Sequence, residues 1–279
     1  MKAILFVTCC MVMLLTACGS ASTTTIDMSD PSSMAGMSMS STATHQHGND
    51  AVAHFSVVSP HYLPNEKATI TMLIQNKWDR PVVNFDIMHE KLMHLIVVSE
   101  DLSYFDHLHP TYAGEGRFDV ETTFPAGGHY QLIADYTPTG LGETVQSHWV
   151  TINGKEPKAV KLQPDRSLTK LIGDKEVTLA FDHVMAGMPL DMVFTFKQGA
   201  TKAPVTNLQP YLGSAGHVVA ISEDGKEYVH VHPTDDAATS GPIAKFSIQF
   251  PKKGIYKIWG QFQQNNEVFI VPYIIDVKL

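Results

Sequence analysis

The chain reads HLIVVSEDLSYFDHLHP from His94 to Pro110 and HVVAISEDGKEYVHVHP from His217 to Pro233, a match without a gap. Each copy is an apolar run rich in β-branched residues, a Ser-Glu-Asp turn, and a second short stretch closed by proline, the pattern of a β-hairpin. The likeness extends outward. FPAGGHYQLIADY (Phe124 to Tyr136) lies over FPKKGIYKIWGQF (Phe250 to Phe262) after a small insertion around Ala237 to Gly241, and Asn84 to His94 lies over Asn207 to His217. Repetition at this scale marks a tandem duplication of one supersecondary unit.

Around the first hairpin, short segments rich in Val, Ile, Thr and aromatics run over His54–Ser59, Lys67–Asn76, His94–Ser99, Ser103–His109, Gly116–Phe124, Gly128–Tyr136 and Thr144–Ile152, separated by Pro, Gly, Asn and Asp. No helical period competes with them. The expected fold is therefore all-β: two tandem immunoglobulin-like (cupredoxin-like) antiparallel β-sandwich domains. Domain 1 is expected over 51–153 and domain 2 over 175–279, joined by a linker at 154–174 that contains Gly154, Pro157 and Pro164.

The N-terminus carries Lys2, an apolar run from Ala3 to Leu15, and Leu15-Thr16-Ala17-Cys18-Gly19. This resembles a bacterial lipoprotein signal peptide over 1–17, with Cys18 as the acylated (palmitate-bearing) first residue of the mature chain. The run is shorter than the roughly 18 apolar residues a membrane span requires. An anchored protein is expected, in the cell membrane or outer membrane and facing outward, in a periplasm or at the cell surface. Residues 18–50 are Ser, Thr, Met, Ala and Gly with few aromatic or β-branched residues, and read as a disordered tether. It holds Met28, Met34, Met37, Met39, His45 and His47, thioethers and imidazoles with no packing reason to be there, which suits soft-metal capture.

Cys9 and Cys10 lie in the leader and Cys18 carries the lipid, so the mature domains contain no thiol. That excludes a disulfide framework, a cysteine nucleophile and a thiolate-ligated blue-copper site. A net charge of -8 and a pI near 5.9 offer no basic patch, so nucleic acid is not an expected partner.

Hairpin counting then gives the histidines a geometry. With the turn at Glu100-Asp101-Leu102-Ser103, Ser99 faces Tyr104, Ile96 faces His107 and His94 faces His109. With the turn at Glu223-Asp224-Gly225-Lys226, Val219 faces His230 and His217 faces His232. Because side chains alternate with period two, each hairpin puts three histidines on one face, with directly opposed Cβ atoms about 4.5–5.5 Å apart. Such a face can hold a metal ion or can be a structural cluster bonded to backbone carbonyls. Upstream, the first copy adds Met88, His89 and Met93, where the second has Tyr211, Leu212 and Gly216. Mixed imidazole and thioether favours copper over hard cations, with zinc the competitor, and makes the first copy the better site. His183, Met185, Met188 and Met192 form a weaker stretch for which packing is an equal explanation. His61, His129 and His148 read as isolated surface or satisfied core residues, and the turn carboxylates as turn formers.

His89-Glu90-Lys91-Leu92-Met93-His94-Leu-Ile-Val-Val-Ser, with His107-Leu-His-Pro and His230-Val-His-Pro, resembles a family of secreted bacterial proteins and lipoproteins with tandem immunoglobulin-like domains that travel with copper and heavy-metal transport. The resemblance covers nearly the whole mature chain. It implies copper binding for sequestration, relay or resistance, with Cu(I) or Cu(II) held by His89, Met93, His94, His107, His109, His217, His230 and His232, and a copper transporter or metallochaperone as partner. No nucleophile or acid/base pair is visible, so a non-enzymatic role is expected. The alternatives are a metal-free interaction or structural module and, third, a copper-dependent redox enzyme.

Overall fold

The computed structural model describes residues 50–234 and 239–279. The expected leader, Cys18 and most of the Met/His tether lie outside them. Every regular element among the described residues is a strand. The first half runs β1 (Ala51–Val58), β2 (Lys67–Asn76), β3 (Phe85–Asp86), β4 (Met93–Ser99), β5 (Phe105–Leu108), β6 (Thr111–Gly114), β7 (Arg117–Thr123), β8 (Gly128–Pro138) and β9 (Thr144–Ile152). The second runs β10 (Thr169–Ile172), β11 (Lys175–Phe181), β12 (Pro189–Gln198), β13 (Leu208–Gln209), β14 (His217–Ser222), β15 (Tyr228–Pro233), β16 (Ile243–Gln249), β17 (Gly254–Gln264) and β18 (Glu267–Val277). β10 falls inside the stretch read as linker, so the second sandwich takes up the chain by Thr169.

In the first half, one sheet has the order β1-β2-β7-β6; the other has β3-β8-β4-β5, with β9 on the far side of β8. In the second half the corresponding sheets, β10-β11-β12-β16 and β13-β17-β14-β15 with β18, are joined where β15 pairs β16 through His232↔Ser247 and Pro233↔Phe246. All ladders are antiparallel. The result is two tandem immunoglobulin-like sandwiches. No helix among the described residues is long and apolar enough to cross a membrane.

The outer sheets show the alternation of a strand with one wet face: in β2, Ala68, Ile70, Met72 and Ile74 point inward, and in β12 Leu190, Met192, Phe194 and Phe196 do. β4 and β14 differ, because they are buried on both faces. One face of β4, Met93, Leu95 and Val97, packs into the first sandwich with Phe118, Leu132 and Tyr136. One face of β14, Val218 and Ala220, packs into the second with Phe194, Ile258 and Phe262. The other faces meet each other: Ile96, Val98, Leu102 and Ile133 of the first sandwich and Val219, Ile221 and Trp259 of the second form one apolar cluster, with Leu162 from between the sandwiches. Continuous apolar runs are what two-sided burial demands.

The turns preceding β5 and β15 are built alike. Asp101 Oδ1 accepts from the Ser103 amide (3.0 Å) and the Ser99 hydroxyl (2.7 Å); Asp224 Oδ1 accepts from the Lys226 amide (3.2 Å) and the Ser222 hydroxyl (2.6 Å). Each turn needs a left-handed residue, supplied by Gly225 (φ 70°) in the second copy and by Leu102 (φ 57°) in the first. The cross-strand pairs Ile96↔His107 and Val219↔His230 are those expected from the turn positions.

Candidate metal centre between the sandwiches

The period-two count that sends Ile96 and Val219 into the inter-sandwich cluster sends His94 and His217 there too. The two hairpin faces therefore do not make two sites. They make one. His94 and His217 stack with ring centroids 5.2 Å apart, His107 and His217 lie 4.4 Å apart, and His217 and His230 4.7 Å apart. His109 lies beside His107 (4.6 Å) and His94 (5.2 Å); His232 stacks on His230 (5.2 Å). His89, from the turn before β4, reaches over the second sandwich's histidines, 4.9 Å from His230, 5.6 Å from His217 and 5.9 Å from His232. That turn has two left-handed residues, His89 (φ 47°) and Glu90 (φ 65°), and bridges Met88 to Lys91. Its counterpart bridges Tyr211 to Ser214 through Leu212 and Gly213, and Glu90 packs where a Gly213 side chain would stand.

The contacts across the interface are reciprocal. His107 Nδ1 donates to Gln261 Oε1 of the second sandwich (2.7 Å), and His230 Nδ1 donates to Asp135 Oδ2 of the first (2.8 Å). In the aligned repeats Asp135 and Gln261 are equivalent, and they are the cross-strand partners of His94 and His217. Each sandwich thus uses the same position on its central strand to hold an imidazole of the other. Leu102 and Gln131 are answered in the same way by Gly225 and Lys257: Lys257 Nζ donates to the Leu102 carbonyl (2.7 Å), and the Gln131 side chain lies against Gly225.

Burial sets the protonation of the cluster. It holds His107 and His217 well below the ordinary imidazole range, lowers His94 and His109 to about 4 and His89 to about 3, and the neighbouring imidazoles add their repulsion. These rings are neutral at neutral pH, one N–H each. For His230 burial acts in the same direction, but the charges of Asp135 and Glu143 outweigh it and raise its pKa.

The tautomers follow from the fixed acceptors. His94 Nε2 donates to the Met88 carbonyl (3.0 Å), leaving a lone pair on Nδ1. His107 Nδ1 donates to Gln261, leaving a lone pair on Nε2. Those two nitrogens face each other at 2.9 Å. With both outer protons committed, the contact has two acceptors and no proton, an arrangement stabilised by a cation shared between them. Beside it, both ring nitrogens of His217 are buried without a hydrogen-bond partner, as are Nε2 of His89, His109 and His230. Each unsatisfied buried group of this kind costs roughly 1–3 kcal/mol. One ligand nitrogen each from His94, His107 and His217 lie within 4.8 Å of one another, so the donor set fits an ion that accepts three imidazoles. Carboxylate or amide acceptors behind metal-bound histidines are the usual second layer of such sites.

Some expected ligands lie elsewhere. Met93 precedes His94 by one residue, so it points to the opposite face of β4 and is sealed in the first sandwich's core. Its thioether is not part of the cluster, so Met93 adds no soft donor beside His94 and gives the site no preference for copper. Met88 contributes its carbonyl. In the weaker stretch, His183 pairs with Asp182 (3.0 Å), Met192 is core, and Met185 and Met188 are exposed. His61 pairs with Glu66 (2.8 Å), His129 meets Thr151 (3.0 Å) and His148 stacks on Phe55 (5.5 Å). Sequence reasoning missed Asp135 and Gln261; the aligned repeats already set them over each other, and pairing β4 with β8 and β14 with β17 would have placed them behind the histidines.

Residues 45–154 and again 170–279 match the family model described as a domain of unknown function (DUF8832). The chain belongs to this family. Its two domains are the two sandwiches. No curated protein matches the chain. Among solved structures it is similar to FdeC, an Escherichia coli adhesin (14% identity, 81% of this chain and 64% of that one, TM-score 0.28), and to a two-domain fibronectin type III segment of chicken tenascin (12%, 82% and 100%, TM-score 0.24). Fibronectin(III)-like modules of Clostridium thermocellum CbhA are similar at 14% identity, over 82% of this chain and 94% of that one, with a TM-score of 0.21. The chain spans less than two thirds of the length of the adhesin it resembles.

Proposed function

We propose that this protein is an extracytoplasmic, lipid-anchored metal-binding protein that sequesters or relays copper, the ion being held between its two sandwiches by His94, His107 and His217. The observation that carries the reading is the pair of ring nitrogens, His94 Nδ1 and His107 Nε2, facing each other at 2.9 Å in a buried site, with the opposite nitrogen of each ring paired to an oxygen acceptor. His217, with both ring nitrogens unpartnered, supplies the third donor from the other sandwich. His89, His109, His230 and His232 surround these three and offer replacement donors along which an ion can be handed on.

Among divalent first-row ions, nitrogen sites favour Cu(II) most strongly, and imidazole also suits Zn(II). With no thiolate and no Met93 thioether, the site lacks the usual donors of a blue-copper electron-transfer centre, which supports storage or relay over redox turnover. The Met/His tether, outside the described residues, is assigned first capture. The metal-free alternative, in which the histidines only close the interface, leaves five buried ring nitrogens without partners; a structural cluster would satisfy them.

Calorimetric titration of the full-length protein with Cu(II), then with Cu(I) under reductant, tests this. Sub-micromolar binding lost in both His94→Ala and His217→Ala is expected, because one ion needs both sandwiches. No such binding, or binding untouched by both variants, sinks the reading, and stronger retention of Zn(II) than of Cu(II) in competition reassigns the ion.

A further inference from the structure

The loop joining β11 to β12 carries His183, Met185 and Met188 within six residues. One carboxylate closes its base: Asp182 Oδ1 accepts from the amides of His183 (2.9 Å) and Asp191 (3.1 Å). From there the backbone runs strand-like beside Lys278, whose amide donates to the Val184 carbonyl (3.2 Å) and whose carbonyl accepts from the Ala186 amide (2.8 Å). Val184 and Ala186 pack against the second core. Alternation therefore puts His183 and Met185 together on the outward face, with Cα atoms about 7 Å apart. Gly187, left-handed at φ 78°, turns the chain back, and Met188 stands on the return limb before β12.

The histidine of this loop is oriented but unfilled. Asp182 Oδ2 accepts from His183 Nδ1 (3.0 Å), so the neutral ring keeps its lone pair on Nε2. That nitrogen is buried and has no hydrogen-bond partner. A carboxylate behind an imidazole is the usual support of a metal-bound histidine. Packing does not account for the two thioethers: Met192 is wholly buried, whereas Met185 is 38% and Met188 50% exposed. Nor does the fold of the loop require them, because the corresponding loop of the first sandwich, 59–66, has no methionine. Met185-Ala-Gly-Met188 instead repeats, letter for letter, Met34-Ala-Gly-Met37 of the tether.

We infer that the 182–188 loop is a further metal site, taking the soft monovalent ion Cu(I) on His183 Nε2 and the sulfurs of Met185 and Met188. Thioether donors select Cu(I) over harder cations. The loop lies at the end of the second sandwich opposite His217. It bridges Lys278 and Phe250, just past the ends of β18 and β16, and Val277 pairs with Gly254. Gly254 precedes Gln261, the cross-strand partner of His217, by seven residues, or roughly 23 Å along β17. The two sites share no ligand, and this one does not rest on the central one.

The test is a titration of the full-length protein, labelled with carbon-13 at its methionine methyls, with Ag(I) as a diamagnetic stand-in for Cu(I). Met185→Leu and Met188→Leu, volume-conserving changes at exposed positions, assign the two resonances by their disappearance. Both resonances are expected to shift together as silver binds, while those of the buried Met72, Met93 and Met192 stay in place. Tether methionines titrate as separate signals. His183→Gln is expected to weaken the affinity read from the Met185 and Met188 shifts by about tenfold or more. Resonances of Met185 and Met188 that stay fixed at saturating silver overturn the site, and so do shifts of undiminished affinity in His183→Gln. His94→Ala is expected to give the wild-type titration, which separates failure of this site from failure of the central one.

Discussion

His107 in the first sandwich donates its Nδ1 proton to Oε1 of Gln261 in the second, over 2.7 Å. This bond fixes the tautomer that leaves Nε2 aimed at His94, so in the proposed metal site it acts from behind the ligand, without touching the ion. Gln261→Ala is expected to weaken metal binding by about 10- to 100-fold, the usual effect of losing such a partner. It should also lower the stability of the metal-free protein by roughly 1–3 kcal/mol, because a buried N–H loses its acceptor. Gln261→Glu, which keeps an acceptor, should restore most of the affinity in the same titration.

His217 gives a prediction of opposite sign for the two states. Replacing a buried imidazole that has no hydrogen-bond partners by an apolar side chain removes an unsatisfied group. His217→Leu should therefore leave the metal-free protein as stable as the wild type or more so in urea denaturation, while abolishing the rise in stability that metal confers on the wild type. For an ion at about 1,000 times its Kd that rise is about 4 kcal/mol. Equal loss of stability with and without metal would show that His217 is a packing residue.

The pH dependence follows from the depressed imidazoles. A base whose pKa falls on folding stabilises the folded state above its unfolded pKa, near 6.5, and that stability is lost as pH falls toward the folded value. For His94 and His109 the window runs from about 6.5 down to about 4, and for His89 to about 3. His94 alone contributes on the order of 3 kcal/mol. His230, raised by Asp135 and Glu143, works the other way: its contribution is present below pH 6.5 and lost above its folded value. Because the depressed rings outnumber it, thermal melts of the metal-free protein should show Tm falling steadily from pH 6.5 to 4, and bound metal should be released over the same interval. A flat profile would contradict this assignment of neutral rings.

The apolar cluster beside the histidines is expected to hold the ligand halves together. Phe105 stacks on Trp259 at 4.7 Å across the interface. Trp259→Ala should cost roughly 3–5 kcal/mol. It should also make thermal unfolding biphasic, one step per sandwich, where the wild type is expected to melt in one, and reduce metal affinity without removing any ligand. Unchanged affinity would mean that the two sandwiches stay registered by other contacts.

The hairpin register was legible because a short turn and a period of two leave no freedom: once Asp101 and Asp224 are turn residues, Ile96 must face His107 and Val219 must face His230. Met93 was misread by the same rule left unapplied, since neighbours on a strand point to opposite faces. The merging of two hairpins into one centre had a signal, the unbroken apolar runs of β4 and β14, which an antiparallel sandwich with one wet face would not carry. What it did not carry was the identity of the partner surface. Asp135 and Gln261 were out of reach for another reason: they sit on a third strand, and only pairing β8 to β4 and β17 to β14 places them behind the imidazoles.

The reciprocity of the interface gives the duplication a meaning beyond size. Two identical subunits meeting through the same patch would be obliged to present one side chain at both equivalent positions, Asp twice or Gln twice. Covalent fusion of the copies lifts that obligation. Asp135 on one side and Gln261 on the other are a pair that no symmetric homodimer of a single domain can encode, and they make one half of a shared pocket anionic while the other stays neutral.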